Sequence, residues 1–162
     1  MTQKALLQSS GDGTAVPAGY IGETINVDIT SSVATTVANT PVDCAQTITL
    51  TPGVWKLEAA GQMRMSGAAG RATGPAYGHV QLTDSANTEL DASLMEVELP
   101  SSKDFSHRFY VAAVVNISSS TTYKLRVLCS EASSLMICTI RTSGTFTGSV
   151  RNKSRFIATR IG

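Results

Sequence analysis

The sequence predicts an all-β fold, an antiparallel sandwich of two sheets in which a jelly roll is the favoured topology. Apolar and polar residues alternate in short segments from Thr24 to the end of the chain, as in half-buried strands. The spacing of an amphipathic helix, with apolar residues three and four positions apart, is not sustained in any window. Turn-forming residues divide the chain into about eight to ten strands, the number typical of sandwiches and barrels.

Length and composition indicate one domain. The chain has 162 residues and a mass of 17.0 kDa, which is enough to bury a core without disulfides or metals. We assign residues 23–162 to the sandwich and residues 1–22 to an extended N-terminal arm. Because the arm carries glycine and proline at intervals and little that can be buried, we expect it to run along a partner subunit.

The first strand is predicted at Thr24–Ile29, where Ile25, Val27 and Ile29 share one face. Thr30–Thr40 follows, rich in small serine, threonine and alanine side chains that cannot anchor a core. We predict a weak strand or a long connection there.

The clearest hairpin joins Gln46–Leu50 to Val54–Met65. Pro52 presets φ and Gly53 accepts a positive φ, so the two residues reverse the chain between the strands. Trp55 lies on the apolar face of the second strand, which predicts a core residue rather than a platform for stacking a sugar ring. The residues of that face are Trp55, Leu57, Ala59, Gly61, Met63 and Met65.

Two further strands follow a glycine-rich loop at Ser66–Pro75. Tyr77–Thr83 places Val80 and Leu82 on one face. In Glu89–Leu99 the alternation changes phase near Leu94, and a β-bulge at that position would reconcile the two halves.

The remaining strands alternate in the same way. Phe105–Ile117 comes first, and the segment after it buries Tyr123, Leu125, Val127 and Cys129. A short strand is predicted around Met136, Cys138 and Ile140. The last strand, Arg155–Ile161, has Phe156 and Ala158 on one face and Ile157, Thr159 and Ile161 on the other.

The charge composition points away from nucleic acid and from membrane insertion. The net charge is +1 and only 15% of residues are charged, against roughly 25% in typical soluble domains. No signal peptide opens the chain, and no apolar run approaches the ~20 residues of a membrane-spanning helix. Low charge with many small residues is common where neighbouring subunits cover the surface, so we expect an oligomer.

The sequence carries no catalytic or metal motif, so we expect neither an enzyme nor a cofactor. Three cysteines, Cys44, Cys129 and Cys138, include no C-x-x-C pair and are predicted to be reduced and buried. The Gly11-Asp12-Gly13 segment lacks the further residues of a phosphate or calcium loop and is interpreted as a tight turn. The isolated His79 and His107 are interpreted as surface-facing or structurally bonded histidines. Glu96 and Glu98, which share a strand face, are interpreted as part of a solvated face.

The C-terminal part of the chain is the most basic. We single out Arg151, Lys153, Arg155 and Arg160 as candidate contacts with a partner or a second copy. An anion or an acidic glycan is one ligand that such a group would bind, and a solvated basic turn is the alternative.

Four segments together resemble small tail proteins and tail-fibre modules of tailed bacteriophages. They are GDGTAVPAGYIGE at Gly11–Glu23, TITLTPGVWKL at Thr47–Leu57, SSSTTYKLRV at Ser118–Val127 and FIATRIG at Phe156–Gly162. Such modules look like jelly-roll sandwiches that trimerise, comparable to the complement C1q and tumour-necrosis-factor type. Fibre proteins usually carry this segment behind a long shaft, whereas here it begins at Gly11, which implies a separate small component.

The resemblance implies a bacteriophage virion structural protein, a homotrimeric tail or fibre component for particle assembly and host-surface attachment. Its implied partners are copies of itself, other virion proteins and a host cell-surface glycan, and its location is the virion after assembly in the host cytoplasm. Three alternatives remain. They are a stand-alone lectin-like module that holds sugar in Ser66–Pro75 and Ser101–Asp104, a capsid decoration or head-fibre protein, and a cupin-type enzyme.

Overall fold

A computed structural model describes residues 16–30, 33–35, 37–67, 74–99, 105–130, 136–141, 144–146, 149–151 and 154–162. Within those ranges every regular secondary-structure element is a β-strand, which confirms the predicted fold class. The strands are β1 (Thr24–Asp28), β2 (Val33–Thr35), β3 (Val42–Leu50), β4 (Gly53–Gly67), β5 (Gly74–Asp84), β6 (Glu89–Leu99), β7 (Phe105–Ile117), β8 (Thr121–Cys129), β9 (Met136–Arg141), β10 (Gly144–Phe146), β11 (Ser149–Arg151) and β12 (Arg155–Arg160).

The strands form two main antiparallel sheets. Sheet A has the order β1-β12-β4-β9-β2, with β7 on the opposite edge of β4, and sheet B has the order β3-β8-β5-β6. One edge of β4 is shared, because β12 pairs with Trp55–Ala60 and β9 with Gln62–Gly67. Strands β10 and β11 form a separate hairpin.

The pairing of the eight main strands is that of a jelly roll. The first pairs with the last, β1 with β12, and the pairs then nest inward as β3 with β8, β4 with β7 and β5 with β6. The four nested pairs thus form one long hairpin. Two further pairings, β12 with β4 and β8 with β5, fold this hairpin into two opposing sheets. The favoured topology is thereby confirmed.

The core lies between the sheets and uses the predicted faces. Trp55 is completely buried, which confirms that it is a core residue. Strand β8 buries Tyr123, Leu125, Val127 and Cys129 in strict alternation, as its sequence predicts. The largest fully buried side chains are Trp55, Phe109, Phe156, Ile29, Ile48, Leu50, Leu57, Met63, Leu82 and Leu125.

A glycine in β4 makes room for the start of β12. A Cβ atom on Gly61 would lie 2.2 Å from the Ser154 hydroxyl oxygen and 2.8 Å from Cε1 of Phe109. Ser154 is fully buried, and its Oγ accepts a hydrogen bond from the Gln62 amide at 3.3 Å. The smallest residue of the predicted apolar face therefore marks a close approach of another segment.

The predicted bulge in β6 exists, but its predicted position is wrong. Leu82 lies opposite Asp91 and Thr83 opposite Glu89, so Leu90 is the extra residue. The register between β5 and β6 runs unbroken past Leu94. The phase change at Leu94 has another cause, because this leucine stands on the outer surface beside His79 and is 51% exposed.

The segment predicted as a weak strand or connection contains the short β2, which pairs with β9. Thr35 is fully buried, and its hydroxyl bonds the carbonyl oxygens of Val37 and Thr40 at 3.1 Å each. The glycine-rich loop is shorter than predicted, because β4 continues to Gly67 and β5 begins at Gly74.

Of the predicted arm, residues 16–22 are described, and they form turns before β1. Tyr20 donates its amide to the Pro17 carbonyl at 3.3 Å, and Glu23 donates to the Tyr20 carbonyl at 3.0 Å. The predicted turn at Gly11-Asp12-Gly13 lies outside the described residues. So does Ser101–Asp104, one of the two loops that would hold sugar in the lectin-like alternative. The division into arm and sandwich stays a prediction.

Candidate assembly surface

Arg160, one of the four basic candidates, ends β12 with its side chain inside the protein. The residue is 6% exposed. Its Nε donates to Glu23 Oε2 at 3.1 Å, its Nη1 to the Pro52 carbonyl at 2.7 Å and its Nη2 to Thr51 Oγ1 at 2.5 Å. The guanidinium carbon lies 4.4 Å from the ring centroid of Trp55, a cation–π contact. We call Glu23, Thr51, Pro52, Trp55 and Arg160 the chain-end clasp.

The clasp holds both ends of the sandwich at one corner. Gly22 donates its amide to the Arg160 carbonyl and Arg160 donates to the Glu23 carbonyl, each at 2.9 Å. Val54 donates to the Gly162 carbonyl at 2.8 Å, and the Glu23 carboxylate also accepts the Gly19 amide at 2.7 Å. The buried charge of Arg160 is thus paired with a carboxylate, and each of its three guanidinium nitrogens donates a hydrogen bond, which offsets the cost of burial.

The turn between β3 and β4 is shaped to receive this guanidinium. Gly53 has φ of +146°, and a Cβ there would lie 2.2 Å from Arg160 Nη1. Trp55 donates its indole N–H to the Thr51 carbonyl at 2.9 Å, which fixes the ring beneath the cation. Glycine at this turn is therefore required by backbone angle and by space.

The burial of Arg160 could have been predicted from the alternation along β12. Arg160 is in phase with Phe156 and Ala158, both of which are fully buried, so a strict period of two places its side chain inward. Glu23 and Thr51 had no such signal, since both lie outside strands and meet Arg160 only through the tertiary fold.

The other basic candidates lie elsewhere. Arg155 begins β12 on the outer side, with its side chain 52% exposed and its Nε 3.6 Å from Asp28 Oδ1. Arg151 ends β11, and Lys153 lies outside the described residues. A partner contact by any of the four residues stays a prediction.

The outer face of sheet A carries three of the exposed large apolar residues. Val114, Tyr110 and Ile161 are 63%, 56% and 45% exposed. Ala112 lies between Tyr110 and Val114 on β7, and Ala60 lies opposite Tyr110 on β4. The part of this face that includes β1 and β12 consists of Thr24, Asn26 and Asp28 of β1, Arg155, Ile157 and Thr159 of β12 with Ile161 beyond it, Val54, Lys56, Glu58 and Ala60 of β4, and Tyr110, Ala112, Val114 and Asn116 of β7. The face continues along β4 and β7 over Gln62, Arg64, Ser106 and Arg108.

Charges on this face are paired with each other. Lys56 Nζ lies 2.9 Å from Glu58 Oε1, and the Tyr110 hydroxyl donates to the same oxygen at 2.5 Å. The bonds from Tyr110 and Lys56 hold the pKa of Glu58 below its usual range, and the carboxylate raises the pKa of both partners. Asp28 beside Arg155 is a second pair of opposite charges on this face.

The outer face of sheet B carries a network of three charged residues. Asp43 accepts hydrogen bonds from Lys124 Nζ at 2.5 Å and from Arg126 Nε at 2.7 Å. Lys124 is the main reason that the pKa of Asp43 lies below its usual range. Leu94, opposite His79, is 51% exposed, and Leu90 of the same strand is 36% exposed.

The described histidines and cysteines form no ligand set. His79 lies in β5 and His107 in β7, and no three His, Cys, Asp or Glu side chains of the described ranges are grouped to hold a metal ion. Cys44 and Cys129 are buried and form no disulfide, as predicted, and burial raises the pKa of the Cys44 thiol. Cys138 lies in β9. A search of the described part of the chain found no helix suited to crossing a membrane.

No protein-family model and no curated protein matches the chain. Among solved structures, the chain is similar to one in "Structure of infectious bursal disease virus Gt strain", with 13% identity and a TM-score of 0.40, over 87% of this chain and 38% of that one. It is also similar to one in "Structure of infectious bursal disease virus Gx strain", with 10% identity and a TM-score of 0.39, over 86% and 38%. The chain spans well under half the length of either.

Proposed function

We propose that the chain is a bacteriophage virion structural protein, a homotrimeric tail or fibre component that serves particle assembly. One observation carries the proposal. Three of the four segments that resemble phage tail proteins meet in the chain-end clasp, around the single guanidinium of Arg160.

The first segment contributes Glu23, the TITLTPGVWKL segment contributes Thr51, Pro52 and Trp55, and the closing FIATRIG contributes Arg160 itself. Residues that are distant in sequence thus form one closed structural unit. Their polar groups are used inside the fold, which is the role of a scaffold rather than of a ligand site. The segments that resemble phage tail proteins therefore supply residues that hold the fold together.

A structural subunit also needs surfaces that neighbours can cover. The outer face of sheet A is such a surface, because it is partly apolar and pairs Lys56 with Glu58 and Arg155 with Asp28. Low charge over the whole chain, 15% of residues, agrees with coverage by neighbours.

Mass spectrometry of purified phage particles from the producing host tests the proposal. We expect this chain in particles that survive gradient purification, at a stoichiometry divisible by three. Recovery only from the soluble lysate would contradict a virion role. Saturable binding of the isolated protein to a glycan array, together with absence from particles, would favour the stand-alone lectin.

A further inference from the structure

We propose that Asp91 protects the free edge of β7 from pairing with the β7 strand of a second copy of this chain. The inference goes beyond the proposed function, because it concerns an association that the fold prevents. It does not depend on whether the chain forms a trimer.

Strand β7 is a long and regular edge strand. It pairs with β4 in an unbroken register from Phe105 to Ile117, and no described strand pairs with its other side. The other edge strands of the two main sheets have features that discourage pairing, because β1 and β2 have only five and three residues and the pairings of β3 and β6 contain register shifts. A further strand would therefore join sheet A most readily at β7.

The middle of β7 has the composition of a segment that pairs with itself. Residues 109–115 read FYVAAVV, seven aromatic, β-branched or alanine residues with no charge and no proline. Ala112 is the central residue of this segment. Two copies paired antiparallel about Ala112 would place Tyr110 of one opposite Val114 of the other, and pairs of an aromatic and a β-branched residue stabilise sheets.

The Asp91 side chain occupies the backbone at that central residue. Ala112 donates its amide to Asp91 Oδ2 at 2.8 Å. The amide and carbonyl of one residue point to the same side of an antiparallel strand, and alternate residues point the same way. Tyr110, Ala112 and Val114 therefore direct these groups away from β4, and the carboxylate takes the central donor that a β7–β7 pair would use.

The β-bulge in β6 places Asp91 at this position. Asp91 lies opposite the fully buried Leu82, on the core side of β6. Without the extra residue, Leu90 would lie opposite Leu82, and Asp91 would lie opposite Gln81 on the outer face. The bulge thus moves a leucine to the surface and a carboxylate into the seam between β6 and β7. Bulges and inward-pointing charges both protect sheet edges in natural proteins.

The charge of Asp91 adds to the protection. Pairing of two β7 strands about Ala112 would bring the Asp91 side chains of both copies to one place. Each carboxylate would lose its amide donor while water is excluded, and the two like charges would repel each other. The pairing is therefore opposed both at the backbone and by electrostatics.

A matched pair of variants tests the inference. Asp91→Ala removes the carboxylate, and Glu89→Ala is the control, because Glu89 gives β6 the same charge but accepts a hydrogen bond from Gln81 on β5. A β7–β7 contact is two-fold symmetric, so we expect Asp91→Ala to raise the weight-average mass in sedimentation equilibrium at least about twofold. Glu89→Ala should keep the wild-type mass. Circular dichroism should show both variants folded, and an unfolded Asp91→Ala would assign Asp91 to the stability of the fold and overturn the inference.

A proline at the centre of the edge distinguishes strand pairing from association through unfolding. Ala112→Pro removes the amide that faces the free edge and keeps the ladder with β4, because that amide bonds Asp91 and not β4. In the Asp91→Ala background, we expect Ala112→Pro to restore the wild-type mass. Association through unfolding would persist or increase in the double variant.

Hydrogen exchange locates the contact on the chain. In Asp91→Ala we expect the amides of Tyr110 and Val114 to exchange at least ~10-fold more slowly at associating concentrations than in dilute solution. Three results would each overturn the inference: a mass that rises equally in Glu89→Ala or in neither variant, a mass that Ala112→Pro leaves raised, and exchange at both amides that does not change with concentration.

Discussion

The carboxylate of Glu23 and the guanidinium of Arg160 meet at 3.1 Å in the interior of one corner of the sandwich, and they join the two ends of the fold. The Arg160 amide also donates to the Glu23 carbonyl, and the Arg160 carbonyl accepts from the Gly22 amide, each at 2.9 Å. A jelly roll is one long hairpin rolled upon itself, so its first and last strands must be held together for the roll to stay closed. The ion pair performs this task where β1 begins and β12 ends.

Loss of the Glu23 charge should destabilise the fold strongly. Glu23→Gln keeps the shape of the side chain but leaves Arg160 buried without a counterion, at a cost of about 3 kcal/mol. Asp28→Asn, which removes the partner of the half-exposed Arg155, should cost less than about 1 kcal/mol. Urea unfolding measures both free energies. Equal losses would show that the Glu23 pair contributes no more than a surface pair.

A side chain at Gly53 should open the clasp. Gly53→Ala combines a positive φ with a Cβ only 2.2 Å from Arg160 Nη1, and we expect a loss of at least ~2 kcal/mol. Gly19→Ala is the matched control, because φ is +87° there and nothing lies within 4 Å. Its cost should stay near 1 kcal/mol. Unfolding midpoints that shift equally would exclude a role for the guanidinium contact.

The contacts of Arg160 in the chain-end clasp depend on the planar shape of its guanidinium group. Arg160→Lys keeps the charge but cannot reach Glu23, Thr51 and the Pro52 carbonyl at once, so we expect a loss of about 2 kcal/mol. The near-ultraviolet circular dichroism of Trp55, the single tryptophan, should change because the cation leaves its ring. Arg155→Lys should leave both observables unchanged. A wild-type spectrum for Arg160→Lys would contradict the stacking.

The network on sheet B should give the stability a small dependence on acid pH. The pKa of Asp43 is lower in the folded protein than the ordinary value of about 3.9. Its stabilising contribution is therefore present above that value and is lost as pH falls through the lower, folded pKa. Asp43→Asn should cost less than about 1 kcal/mol at neutral pH, since the carboxylate is partly exposed. The difference from wild type should vanish in strong acid, and a difference that is constant with pH would be contrary to this assignment.

Period-two alternation predicted the long strands and their buried faces, because each side chain's direction follows from its position along a strand. It did not predict the three-residue strands β10 and β11, which are too short to show a period. The bulge was misplaced at Leu94 because an exposed leucine produces the same break in alternation as an inserted residue. Leu90 is the insertion, and only the register with β5 reveals it.

The chain-end clasp could not be predicted from the sequence, for a different reason. Arg160 is in phase with buried residues, yet a basic residue at a strand end is usually solvated, and its acceptors lie in two distant turns. The pairing of charges on the outer face of sheet A depends likewise on which strands are neighbours, since Arg155 meets Asp28 only through the pairing of β1 with β12.

Sedimentation equilibrium of the wild-type protein across a range of concentrations tests the central claim most directly. An assembly subunit that covers the outer face of sheet A predicts a species with three times the 17.0 kDa mass of the chain. A mass of one chain at every concentration would contradict the account.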